Sequence, residues 1–64
     1  MTHYRISGYD YNLILMDAGT DPEKMKKLAI AYVAREYKVA SEDITNIIVD
    51  KVDGVILVIV KEVL

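Results

Sequence analysis

Near the end of the chain six consecutive aliphatic residues, Val55, Ile56, Leu57, Val58, Ile59 and Val60, follow an Asp53-Gly54 turn signal. A β-branched run this short has no polar face, which predicts a strand buried on both sides, and therefore the central one of its sheet. Ile44 to Val52 reads as the strand before it, joined through Asp53-Gly54 as a two-residue type I′ hairpin. That turn sets Val52 opposite Val55, Val49 opposite Val58 and Ile47 opposite Val60. One hairpin face then carries Ile47, Val49, Ile56, Val58 and Val60. The other carries Ile48, Val52, Val55, Leu57 and Ile59, with Asn46, Asp50 and Lys61 among them.

Earlier in the chain, Tyr4 to Asp17 is rich in strand formers, with Leu13 and Leu15 alternating against Ile14 and Met16. Ser7-Gly8 interrupts it, either as a bulge in one long strand or as a hairpin turn; one bulged strand is the expectation, because a turn would leave only a short polar arm ahead of it. Thr20-Asp21-Pro22-Glu23 then signals a helix start, either as a Thr20/Glu23 capping box or with Asp21 as N-cap and Pro22 in the first turn. From there a helix is predicted to about Tyr37. Met25, Leu28, Ala29, Tyr32 and Val33 form its apolar stripe, widened by Ile30 and Tyr37, and Lys24, Lys27, Ala31, Arg35 and Lys38 lie opposite. Lys38 falls where glycine commonly ends a helix, so a left-handed conformation is expected there.

Strand, crossover helix and hairpin together predict an α+β fold: one β-α-β-β unit with a right-handed crossover and a three-stranded sheet of order 1-3-2, the last strand antiparallel to both neighbours. One helix covers one face of such a sheet. The face bearing Ile48, Val55, Leu57 and Ile59 is left without cover and is too apolar to suit water.

Length sharpens that point. At 64 residues the chain is a single small domain, of a size that buries only about 60% of its unfolded surface and gains stability from disulfides, a metal or oligomerisation. With no Cys and one His, disulfides and most zinc patterns are excluded, which leaves oligomerisation. The 53% hydrophobic and 28% charged composition is that of a folded chain. No apolar run approaches the ~20 residues of a membrane span and no secretory leader is evident, so the expectation is a cytoplasmic protein without membrane contact.

Catalytic patterns are absent. Gly8, Gly19 and Gly54 are isolated and form no phosphate loop; His3 stands alone; Asp50 and Asp53 belong to the hairpin end; Asp10, Asp17 and Asp21 lack calcium-loop spacing. Neither enzyme activity nor a cofactor nor a metal is expected. The net charge of −2 is unevenly spread: residues 23–38 carry five bases against two acids, which leaves −5 on the remainder. A basic helix face of Lys24, Lys27, Arg35 and Lys38 suits nucleic-acid phosphates, but with the pI near 5.1 a solvated outer face is the simpler reading. All five aromatic residues are Tyr, a residue type suited to half-buried and interface positions, and Tyr9 and Tyr11 fall in the first segment. The sequence thus favours a small interaction protein, a homodimer or the binder of a larger protein, acting through Ile48, Val55, Leu57, Ile59, Tyr9 and Tyr11. Nucleic-acid binding through the basic helix face is the alternative.

Overall fold

A computed structural model describes residues 2–61. The element order is β1 (Thr2–Ser7), α1 (Gly8–Ala18), α2 (Pro22–Tyr37), a 3-10 turn (Ser41–Asp43), β2 (Ile44–Asp50) and β3 (Val55–Val60). The class is α+β, and the three strands form one antiparallel sheet of order β1-β3-β2 with the aliphatic run in the middle, as its composition predicts. The single helix of a β-α-β-β unit is not what forms. Two helices follow β1, giving β-α-α-β-β.

The difference lies between Gly8 and Ala18. In place of one bulged strand, β1 stops at Ser7, Gly8 turns the chain at φ +61°, and an eleven-residue helix begins. Tyr11, Ile14 and Ala18 are buried on one side of that helix with Leu15 packed beside them, a spacing of three, four and seven residues that only a helix brings together. Leu13 and Met16, which alternate with them in sequence, point to the opposite side. A helix apolar on both sides resembles, residue by residue, a strand apolar on both faces. At its end the Gly19 N–H donates to the Leu15 carbonyl at 2.9 Å.

The second helix forms where the sequence places it. Asp21 is the cap: its Oδ1 accepts from the backbone N–H groups of Glu23 at 3.0 Å and Lys24 at 3.4 Å, with Pro22 in the first turn. Met25, Ala29 and Val33 are buried along it, with Leu28 and Tyr32 at the margin. Lys38 ends the helix in the left-handed conformation at φ 56°, ψ 42°, and Val39 packs onto the core.

The hairpin is wider than a two-residue turn. Asp50 pairs with Val55, and Lys51 to Gly54 form the loop. Asp50 Oδ1 accepts from the N–H groups of Val52 at 3.0 Å and Asp53 at 3.1 Å, so the aspartate side chain closes the loop. Of the loop residues only Gly54 has positive φ, +69°, which excludes type I′ geometry at Asp53-Gly54. Val52 therefore sits at the loop tip, 95% exposed, and not opposite Val55. The register is displaced by two residues from the expected one, with Val49 opposite Ile56 and Ile47 opposite Val58. An even displacement leaves the side chains of the paired residues, Asn46 to Asp50 and Val55 to Ile59, on their expected faces. Between Ile44 and Asn46 the ladder is irregular, and there the Thr45 hydroxyl donates to the Ile59 carbonyl at 3.2 Å.

The core lies between the helices and one face of the sheet. Ile6, Val33, Ile56 and Val58 are its most fully buried large side chains, each contributing about 1.5–3 kcal/mol relative to exposure. Tyr4 of β1 stacks on Tyr37 at the end of α2, with ring centroids 4.4 Å apart, and closes one margin.

Candidate interaction surface

Strand pairing fixes the composition of the uncovered sheet face. Across the sheet from β2 through β3 to β1, three rows run Asn46–Ile59–His3, Ile48–Leu57–Arg5 and Asp50–Val55–Ser7. His3, Arg5, Ile48, Asp50, Asp53, Val55 and Leu57 together line one shallow surface there. The apolar part is narrower than the sequence predicts, because β1 gives this face only polar side chains. Val55 is already buried, Leu57 and Ile59 are half-buried, and Ile48 is 45% exposed. The result is a stripe one strand wide, with Ile48 beside it.

Charge on this face is divided by side. Arg5 and His3 lie along β1, while Asp50 and Asp53 lie at the end of β2 and in its loop. Lys61 is past the far end of β3, roughly 20 Å along the strand from the Asp50–Val55 pair at ~3.4 Å per residue, so the two cannot pair within one chain.

The two tyrosines assigned to this surface from the sequence are elsewhere. Tyr11 is 5% exposed and belongs to the core under α1, where its ring borders Gly54. Tyr9 is 76% exposed but stands on the outer side of α1, on the helical layer. Both displacements follow from the segment being helix and not strand. Lys24, Lys27, Arg35 and Lys38 are exposed on α2, as the helical wheel places them. Arg35 Nε lies 3.6 Å from the Glu36 carboxylate, an exposed pair of little energetic weight.

One polar contact ties the two helices together and was not apparent in the sequence. The Tyr32 hydroxyl donates to Asp10 Oδ2 at 2.8 Å. That hydrogen bond, with burial and the carboxylate's charge, pushes the Tyr32 phenol up to about 12. A phenol held protonated in this way is further from acting as a base or nucleophile than a free tyrosine. Among the described residues no group of three His, Cys, Asp or Glu side chains is placed to hold a metal ion, and no helix is long and apolar enough to cross a membrane.

No protein-family model, no curated protein and no solved structure matches the chain.

Proposed function

We propose that this chain is a small non-enzymatic interaction module that self-associates through its open sheet face. The observation that carries the reading is the pattern on that face: an aliphatic stripe along β3 with bases on one side and acids on the other. A two-fold axis parallel to β3 lays the stripe of one copy on that of the other. The same rotation exchanges left and right, so β1 of each copy lies over β2 of its partner, with Arg5 over Ile48, His3 over Asn46 and Ser7 over Asp50. Arg5 and Asp50 are one row apart, about 7 Å along the strands, within reach of an arginine side chain between sheets packed ~10 Å apart.

Half-buried Leu57 and Ile59 and exposed Ile48 each gain roughly 1 kcal/mol on being covered, on the order of 6 kcal/mol over two copies, and two Arg5–Asp50 pairs add about 1 kcal/mol each, against an association cost that starts near 4 kcal/mol, which leaves roughly 4 kcal/mol in favour of the dimer. The dimer is therefore weak, and charge pairing decides its geometry. Charge reversal tests this. Arg5→Asp alone sets acid against acid, and Asp50→Arg alone sets base against base, so each variant is monomeric. Mixed one to one, they form a heterodimer in which every contact is again opposite in sign. Variants that dimerise separately, or a mixture that stays monomeric, would overturn the proposed arrangement. The alternative, nucleic-acid binding, rests on the exposure of Lys24, Lys27, Arg35 and Lys38 along α2.

A further inference from the structure

The most exposed large apolar side chains of the helical layer form a line of their own. Tyr9, Leu13 and Met16 are 76%, 46% and 80% exposed, and their spacing of four and three residues puts them on the side of α1 opposite Tyr11, Ile14 and Ala18. Leu13 also borders a groove of about 240 Å³ between α1 and α2, floored by Ile14, Leu28 and Ala31. That volume is below the range of small-molecule pockets and suits one or two inserted side chains. The rim is acidic: Asp10 and Asp17, two helical turns apart on α1, and Glu36 on α2, against Arg35 alone, which itself lies beside Glu36.

We propose that this stripe and groove dock a basic amphipathic helix of another protein. Its apolar ridge, at positions i, i+4 and i+7, lies on Tyr9, Leu13 and Met16, and flanking Lys or Arg side chains meet Asp10, Asp17 and Glu36. A second copy of this chain does not fit. α1 against α1 opposes acid to acid, and the basic face of α2 offers only Ala31 as an apolar contact. The surface lies on the helical layer, away from the open sheet face, and the inference is independent of self-association.

Selection from a displayed library of helical peptides on the immobilised 64-residue chain tests it. Enriched peptides are expected to combine an apolar i, i+4, i+7 ridge with basic flanks. Their affinity should fall about tenfold or more, a change of ~1.4 kcal/mol or more, on Met16→Lys or Tyr9→Lys. Asp17→Asn should weaken them less, and by a smaller factor at high salt. Both lysine substitutions are at exposed positions, so an unchanged melting temperature verifies that the fold is intact. Binding should be unaffected by Leu57→Lys, which lies on the other face. No enrichment, enrichment of neutral or acidic peptides, or full retention on Met16→Lys and Tyr9→Lys would overturn the inference.

Discussion

Lys38→Gly should raise the stability of this domain. Lys38 is the one non-glycine residue with positive φ among the described residues, in the left-handed conformation that ends α2. That conformation costs an L-residue roughly 1–2 kcal/mol, which glycine avoids. Glycine returns about 0.5–1 kcal/mol of that through the greater freedom of its unfolded chain, leaving a net gain of roughly 0.5–1 kcal/mol. In a domain this small the gain corresponds to a Tm higher by roughly 2–8 °C. Gly54→Ala is the converse. At φ +69° its new Cβ would lie 3.5 Å from the Tyr11 ring, an ordinary contact, so backbone strain alone sets the cost and Tm should fall by a similar amount. Thermal melts followed by circular dichroism, all at one protein concentration because self-association shifts Tm, measure both. An unchanged or lower Tm for Lys38→Gly, or an unchanged one for Gly54→Ala, would refute the assigned backbone conformations.

Alkaline stability should report on the helix-to-helix hydrogen bond. The folded Tyr32 phenol titrates at about 12 and an unfolded one near 10, so below pH ~10 both states hold the proton and the contribution is fully present; it is lost as pH rises from ~10 to ~12. Tyr32→Phe should flatten that part of the stability profile in pH-dependent urea melts, and an unaltered profile would mean that the bond to Asp10 does not form. Replacing Lys24, Lys27 and Arg35 together by Glu should change no nucleic-acid affinity, because the wild type is expected to have none in the micromolar range; salt-sensitive binding lost in the triple variant, about one unit of salt slope per phosphate contact, would favour the nucleic-acid reading instead. Leu57→Lys with Ile59→Lys should give a monomer, whereas Lys27→Ala should leave assembly intact, both read by size-exclusion chromatography with light scattering.

The parts of the fold legible in sequence are those with a single interpretation. Val55 to Val60 has no polar face, so its central place follows from burial alone. Thr20-Asp21-Pro22-Glu23 leaves open only which of Thr20 and Asp21 is the cap, because either choice starts the helix at the same place, and α2 begins at Pro22. Helix α1 was hidden because Tyr9, Leu13 and Met16 are as apolar as Tyr11, Ile14 and Leu15 on the other side, and the two stripes together erase the helical period. Ser7 before the segment and Gly19 after it were the remaining clues, a cap residue and a helix-ending glycine with eleven residues between them. Missing that helix misplaced Tyr9 and Tyr11 and kept both the α1 stripe and the contact between Tyr32 and Asp10 out of view. The open sheet face could be read more fully, since an even register displacement does not move a side chain from one face to the other. Its polar flank on β1 depended on where that strand ended, which the alternating aliphatic residues disguised.

Self-association is tested most directly by sedimentation equilibrium of the purified wild-type chain from about 10 μM to 1 mM, the range in which an association free energy of roughly −4 to −7 kcal/mol is visible. The weight-average mass should climb from 7.2 kDa toward twice that value as concentration rises. A cooperatively folded chain that stays at 7.2 kDa over the whole range would contradict the account.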